Sequence, residues 1–146
     1  MRLIFTLSVL ALVAVIIAFD VIGTWMLFKK AGRPGWESLI PIYRDYISHE
    51  LYWGNGWLFL IPTVLTCLAK IPQWGALFSL LWVVFRFITI RKMARAFGYY
   101  GLGFAIILYI FPFIVSIIMG ISENHPYMGV PKDGSSYEEI KAKFGK

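Results

Sequence analysis

The chain has 146 residues, of which 59% are hydrophobic and 15% are charged, and it carries a formal net charge of +6. A soluble globular domain usually has about 25% charged residues, so this composition excludes a soluble globular domain. It predicts instead an all-α integral membrane bundle, multi-pass in the cell membrane. The excess positive charge predicts contact with a lipid bilayer that has anionic headgroups. Nucleic-acid binding would need a polar face of aromatic and basic residues, which the sequence lacks.

Four apolar runs predict about four transmembrane helices, since a helix needs about 20 residues to cross the hydrocarbon. A transmembrane domain is predicted over residues 1–130, followed by a polar C-terminal tail, residues 131–146, in which Ser136-x-x-Glu139 could cap a short helix. The predicted spans cover about residues 3–29, 57–70, 73–97 and 102–121.

Two of these runs leave alternatives open. The first starts like a signal peptide, but it continues past Asp20 with no cleavage site, so we interpret it as an uncleaved span. The second is short and contains Pro62, so it either crosses obliquely from a deeper start or is re-entrant; we favour crossing. The lone Cys67 in this run is expected to be a packed small residue, and Pro112 is expected to kink the last span.

The first span is followed by the segment KKAGRPGWESLIPIYRDY, residues 29–46, in which charge, proline and aromatic residues are concentrated. Gly32 can cap the span, Arg33-Pro34-Gly35 forces a turn, and a helix is expected to start near Pro41. We predict an interfacial elbow here, in which basic residues face anionic headgroups and aromatic residues anchor at the membrane surface. Its members are Lys29, Lys30, Arg33, Pro34, Gly35, Trp36, Pro41 and Tyr43.

Residues 34–52 predict an amphipathic interfacial helix after the first span. On a helical wheel, Trp36, Tyr43 and Ile47 share an apolar side, whereas Glu37 and His49 point to the opposite, polar side. A soluble loop packed on the bundle is the alternative interpretation.

The positions of the basic residues predict an orientation, because Arg and Lys on short loops favour the cytoplasmic side. One basic cluster follows the first span, and an inner basic cluster of Arg91, Lys92 and Arg95 follows the third. With both clusters inside, four spans leave the N terminus, the loop near Lys70 and the C-terminal tail outside. The lysines of the tail argue mildly against this arrangement, and the tail returns to the cytoplasm if the second run does not cross.

Asp20 and Arg86 are charges within predicted spans, and such charges are costly enough to be functional candidates. They are about 13 Å and about 7 Å from the inner ends of their helices, so they could form an intramembrane ion pair. In the alternative, Arg86 extends to the inner headgroups, and Asp20 is neutral or bonded to a hydroxyl such as that of Thr24.

The sequence lacks the motifs of an enzyme, a metal site or a cofactor site. His49 and His125 have no Cys or carboxylate at ligand spacing, so zinc has little support and solvated loop histidines are expected. No serine lies in a Gly-x-Ser-x-Gly elbow, and no phosphate-binding glycine loop occurs. We therefore expect no catalytic residue, no metal and no cofactor.

A resemblance rests on the blocks WMLFKKAGRPGWESLIPIYRDY, RKMARAFGYYGLGFAI and YIFPFIVSIIMGISENHPYMG, with LIP in the short run between the first two. The chain resembles an uncharacterised prokaryotic family of small multi-span membrane domains, domain of unknown function 5684, over about residues 22–129. It departs from the family's pattern at Arg44, where Asn is frequent. Related domains are sometimes fused to sequence like signal peptidase I, but this chain has no soluble serine-lysine peptidase domain. The resemblance implies a fold and no activity.

Two functional hypotheses follow. The first is a non-enzymatic accessory or interaction subunit of a larger membrane complex, with a membrane-protein partner or a second copy of itself. The alternative is a small transport or lipid-handling protein that uses Asp20 and Arg86. The two differ in whether a polar cavity reaches the middle of the membrane.

Overall fold

The computed structural model describes residues 1–130, except for the side chain of Leu3, and this part of the chain is helical with no strand. That confirms the predicted all-α class. The predicted tail, residues 131–146, with its Ser136-x-x-Glu139 cap, lies outside the described residues. The helices are α1 (Arg2–Lys30), α2 (Pro41–Trp53), α3 (Leu60–Leu68), α4 (Gly75–Ala96), α5 (Leu102–Ile110) and α6 (Pro112–Ile121), and 3₁₀ turns at Gly35–Leu39 and Gly56–Phe59 precede α2 and α3.

The helices differ in whether they could cross a membrane. The stretch Ile4–Lys30 of α1 is long and apolar enough to do so, which is consistent with a membrane location. A second stretch would qualify if Pro41–Trp53 and Gly56–Leu68 formed one span, but these two parts are bent by 119°. The predicted second span, residues 57–70, is thus part of a broken segment, in which α3 has 9 residues and a length of about 14 Å. Cys67 on α3 is exposed, so the prediction that it is packed is wrong.

The end of α1 has the local structure that the sequence predicts. Gly32 has a φ of 77°, in the left-handed region that favours glycine. The amides of Gly32 and Arg33 donate to the carbonyls of Lys29 and Phe28 at 3.0 and 2.8 Å. This is the Schellman pattern of a helix end, and the prediction of a Gly32 cap is confirmed.

α6 packs along the second half of α1 and runs parallel to it. A Cβ added at Gly23 would lie 3.0 Å from the Cβ of Ser116, and one at Gly120 would lie 2.5 Å from the Cβ of Met26. These contacts advance toward the C-terminal ends of both helices together, so the helices have the same direction. Glycine lets the two backbones approach closely, as it does at many interfaces between membrane helices.

α4 also runs in the same direction as α1. Its end lies beside the end of α1, where the Lys30 ammonium is 5.9 Å from the centroid of the Phe97 ring. Leu27, Phe28 and Phe97 belong to one buried core at this position. We call this end of the bundle, where α1 and α4 both finish with basic residues, the basic end. The chain between the two helices, residues 31–74, therefore leads from the basic end back to the opposite end.

α5 and α6 form a hairpin that starts and finishes at the basic end. The ring of Tyr99 stacks with Phe104 at the start of α5 and with His125 just after α6, each at a centroid distance of 4.1 Å. At the far end of α5, Tyr109 contacts Phe87 in the middle of α4, at 6.1 Å. The sequence predicts one kinked span over residues 102–121. The structure instead brings both ends of this run together.

Prolines determine where the elements start. Pro34 directly precedes the 3₁₀ turn Gly35–Leu39, and Pro41 is the first residue of α2, as predicted. The hairpin reverses at Pro112, the first residue of α6, and Phe111 before it has φ −124° and ψ 60°, outside the helical region. A residue that precedes proline is pushed out of that region by a steric clash, so the α5 hydrogen-bond ladder stops there.

Residues 122–130 fold back over the basic end. The amide of Met128 donates to the carbonyl of Ala96 at 2.7 Å, and the hydroxyl of Tyr127 donates to the carbonyl of Leu51 at 2.8 Å. Burial raises the pKa of Tyr127, and the nearby carboxylate of Glu50 acts in the same direction. The phenol therefore stays protonated and remains a donor at neutral pH.

Candidate functional site

A cavity of about 240 Å³ lies between α1, α2, α4 and α6, with one lining residue from α3. It is level with the middle of α4, because the lining residue Arg86 is about 15 Å from either end of that helix. The wall combines apolar and polar side chains. Its charged and polar lining residues include Asp20, Arg44, Asp45, Ser48, His49 and Arg86.

The carboxylate of Asp20 is paired with Arg44. The distance from Arg44 Nη1 to Asp20 Oδ2 is 2.7 Å, and Arg44 Nε lies 3.6 Å from Asp45 Oδ1, so one guanidinium bridges two carboxylates. Asp20 and Arg86 line the same cavity, but the structure does not bring their charges together as the sequence hypothesis requires. The bond to Thr24 is not seen either, because the hydroxyl of Thr24 donates to the backbone carbonyl of Asp20 and not to its carboxylate. The extension of Arg86 to the inner headgroups stays a prediction.

Arg86 has aromatic neighbours and no acidic one. Its guanidinium carbon is 5.3 Å from the centroid of a Trp82 ring and 6.0 Å from that of Tyr109, within the range of cation–π attraction. Among residues 1–130, no carboxylate oxygen lies within 4.0 Å of its nitrogens. Arg86 is also exposed. It is thus a cation in the middle of an apolar helix without a protein counter-ion in the described part of the chain.

His49 is buried in the cavity wall with 9% of its surface exposed, so the prediction of a solvated histidine is wrong. Its Nδ1 lies 2.8 Å from the carbonyl oxygen of Asp45. Because a carbonyl only accepts, Nδ1 carries the hydrogen in the neutral ring, which leaves Nε2 as an acceptor. This buried Nε2 has no hydrogen-bond partner among the described residues.

A second cavity of about 260 Å³ adjoins the first, between α2, α3 and α4. Because five residues line both cavities, we treat them as one polar groove that passes Arg86. The helix break at Pro112 also lines the first cavity. The shared residues are Asp45, His49, Pro62, Trp82 and Arg86.

Lys30 of the predicted elbow binds the protein. Its ammonium donates to the carbonyls of Met119 and Ser122 at the end of α6. A cation at this position satisfies carbonyls that have no helical partner and complements the helix dipole. Lys29, by contrast, is exposed, and its contact with headgroups stays a prediction.

Arg33 of the elbow pairs with the carboxylates of Glu37 and Glu50. Arg33 Nε lies 3.1 Å from Glu37 Oε2, and Arg33 Nη2 lies 3.6 Å from Glu50 Oε2. Only 5% of the surface of Glu37 is exposed. The polar side of residues 34–52 therefore faces the protein and the groove. There the guanidinium of Arg33 compensates the carboxylates of Glu37 and Glu50.

The aromatic residues of the elbow lie on the outer surface. Trp36 stacks on Tyr43 with ring centroids 6.3 Å apart, and Tyr43 stacks on Tyr46 with ring centroids 6.4 Å apart. Trp36 and Tyr43 are both exposed, as anchoring at a membrane surface requires. Gly35 lies against Trp25, and a Cβ added there would overlap the indole ring. Only glycine therefore fits at this turn unless the ring or the backbone shifts.

The inner basic cluster, Arg91, Lys92 and Arg95, lies in the last turns of α4 at the basic end. The Lys92 ammonium is 4.6 Å from the centroid of a Trp53 ring, so this cluster also packs against the end of α2.

The sequence reasoning missed Arg44 and His49 as members of the site. The available signal was Arg44, where the resemblance departs from the frequent Asn.

In the described part of the chain, no group of three or more His, Cys, Asp or Glu residues could hold a metal ion. The family of unknown function DUF5684 matches residues 36–130. The chain belongs to this family. The matched segment includes Arg44, His49 and Arg86 but not α1. Neither a curated protein nor a solved structure matches the chain.

Proposed function

We propose that this member of the DUF5684 family is a small multi-pass membrane protein that binds a polar or charged small molecule in the polar groove, as a transport or lipid-handling protein. The observation that carries the proposal is the groove itself. Charged side chains from separate helices converge level with the middle of α4, next to Pro62 in the first turn of α3 and to the break at Pro112. Binding sites near the bilayer midplane, formed by discontinuous helices, are typical of transporters.

The helix directions support a topology of three crossings followed by a hairpin. α1 and α4 run the same way, so the segment with α2 and α3 supplies the return crossing as a broken span. Its bend of 119° allows α2 to lie across the basic end while α3 continues to the opposite end. α5 and α6 then enter and leave at the basic end. This scheme retains three of the four predicted spans and replaces the fourth, residues 102–121, by the hairpin.

The positive-inside rule favours three crossings over four. Lys29, Arg91 and Arg95 lie at the basic end, which we assign to the cytoplasm. The described chain finishes at this same end, so this topology assigns the sequence that follows, with its four lysines, to the cytoplasmic side as well. Four spans would separate these two groups of cations on opposite sides of the membrane.

Cysteine labelling tests the topology. In a Cys67→Ala background, Lys70→Cys and Asn124→Cys each introduce one thiol at an exposed position. We expect a membrane-impermeant maleimide to label Lys70→Cys in intact cells and Asn124→Cys only after permeabilisation. The four-span scheme predicts that both are labelled from outside. That result would overturn the hairpin topology.

A cavity-filling variant tests the binding function. Ser48 lines the groove, so Ser48→Trp should occlude it, whereas Ser79→Trp makes the same change at an exposed position of α4 outside the groove. We expect native mass spectrometry to detect a bound small molecule on the wild type and on Ser79→Trp, but not on Ser48→Trp. Circular dichroism checks that both variants are folded. An empty wild type, or equal occupancy of both variants, would contradict the proposal.

The accessory-subunit hypothesis is a second candidate, and the first half of α1 favours it. Excluding Leu3, residues 2–19 are all exposed, so this apolar stretch packs on no other described helix and is free for a membrane helix of a partner. A photo-cross-linking amino acid at Leu10, compared with one at Ile88 on α4, should then give a discrete cross-linked protein product at Leu10 alone. Lipid adducts without a protein product would exclude this candidate.

A further inference from the structure

We infer that the polar groove binds a phosphate ester through Arg86, and that this ligand is an amphiphile whose headgroup enters the groove. The inference rests on the proposed function and names the class of its ligand.

The charge of Arg86 calls for an anion. An unpaired charge in the middle of a membrane helix is costly, and the two carboxylates that line the groove, those of Asp20 and Asp45, are paired with Arg44 at 2.7 and 3.6 Å. The aromatic rings of Trp82 and Tyr109 contact the guanidinium and leave its N–H groups without an acidic partner among the described residues. A guanidinium presents a planar fork of donors that matches two oxygens of one phosphate.

The same groove also offers one acceptor, on His49, that no donor of the described residues uses. The Nε2 of His49 is buried and unpartnered within residues 1–130, and His49 lines both cavities together with Arg86. A bare phosphate diester has no N–H or O–H group for this nitrogen. A phosphate ester that carries a hydroxyl or amine group nearby satisfies both Arg86 and His49, and this combination is the chemistry of a phospholipid headgroup.

The polar wall of the groove leaves the rest of an amphiphile outside it. The groove consists of two adjoining cavities of about 240 and about 260 Å³, and both are lined by charged side chains. A headgroup fits such a wall, whereas acyl chains are better placed on an apolar surface, because they would cover charged groups without pairing with them. Exposed apolar side chains on the two helices beside the second cavity, among them Val64 of α3 and Val84 of α4, provide a surface on which such chains can lie.

Lipid titration followed by native mass spectrometry tests the assignment on the full chain in detergent micelles. The probes are short-chain phosphatidylglycerol, diacylglycerol of the same chain length and inorganic phosphate. We expect the phosphatidylglycerol to bind at least tenfold more tightly than the diacylglycerol. Arg86→Gln should weaken the phospholipid at least tenfold, whereas Lys70→Gln, which removes one exposed charge at the opposite end, should change its affinity less than twofold.

Each remaining outcome has a defined meaning. Displacement of the lipid by millimolar inorganic phosphate would leave the phosphate site in place but overturn the assignment of an amphiphile, because the free anion would then be the ligand. No displacement supports the lipid. If Arg86→Gln is not folded, Arg86→Lys keeps the charge without the planar fork and should still bind several-fold more weakly. Wild-type affinity in Arg86→Lys or Arg86→Gln would overturn the inference. If Ser48→Trp then still abolished binding, the proposed function would stand without it.

Discussion

The two halves of α1 belong to one continuous helix but have different surroundings. In the first half, residues 2–19, every described side chain is exposed, and no other described helix covers it. In the second half, Leu27 and Phe28 are buried, Gly23 contacts α6, and Asp20 lines the groove. Both halves are apolar enough for a bilayer, so apolarity alone does not determine where a membrane helix packs. In α1, packing begins where Asp20 lines the groove and Gly23 lets α6 approach the backbone.

The matched pair Leu27→Ala and Leu10→Ala should separate the halves most strongly. Leu27 is 1% exposed and Leu10 is 60% exposed. Removal of the Leu27 side chain leaves a cavity in the core and should lower the free energy of unfolding by about 3 kcal/mol, whereas Leu10→Ala should cost less than about 0.5 kcal/mol. Denaturation in mixed micelles, followed by circular dichroism, measures both. Equal losses would mean that the first half of α1 also packs on protein.

A smaller effect is expected for Gly120→Ala, which tests the close approach of α6 to the second half of α1. The added Cβ would lie 2.5 Å from the Cβ of Met26, so the helices must separate, at a cost of about 2 kcal/mol. Gly103→Ala is the control, because it makes the same change in α5, where no atom lies within 4 Å, and it should be neutral or slightly stabilising. A neutral Gly120→Ala would show that the two helices are not in close contact.

Lys30→Gln should lower stability by about 1 kcal/mol, since Lys30 donates to two carbonyls at the end of α6. Lys29→Gln, one residue earlier and exposed, should have no measurable effect in detergent. This result would contrast with the sequence prediction, in which both lysines face lipid. If the two variants behaved alike, the predicted contact with headgroups would be the better description of Lys30.

The local features of the chain could be predicted from sequence, but the long-range contacts could not. Gly32, Pro41 and the break at Pro112 follow from conformational limits that glycine and proline impose on any chain. A proline break, however, is compatible with a kink or with a reversal. Which of these forms depends on packing partners for both arms, here α4 for α5 and α1 for α6, and no local rule supplies them.

The candidate site shows the same limit. The sequence identified Asp20 and Arg86 from the cost of charge in an apolar run, and both line the groove. It named Arg86 or a hydroxyl as possible partners of Asp20 and missed Arg44, because α2 was interpreted as an interfacial helix with its polar side turned away from the bundle. In that orientation Arg44 and His49 would not reach a site between helices. The predicted and observed sites differ because α2 has a different orientation about its own axis. Hydrophobic periodicity predicts this orientation only when the apolar side of the helix faces the protein.

The smallest expected effect is the coupling free energy between Asp20 and Arg44. Its measurement decides which cation pairs with Asp20 in the second half of α1. The pair is 2.7 Å apart, but 47% of the Asp20 side chain and 26% of the Arg44 side chain are exposed, so solvent screening should keep the coupling below about 1 kcal/mol. A double-mutant cycle with Asp20→Asn and Arg44→Gln isolates this term from the effects of each substitution alone. A parallel cycle with Arg86→Gln should give zero, because the structure places no carboxylate of the described residues beside Arg86. Coupling to Arg86 with none to Arg44 would restore the pair predicted from sequence, and it would also remove the free cation on which phosphate binding depends.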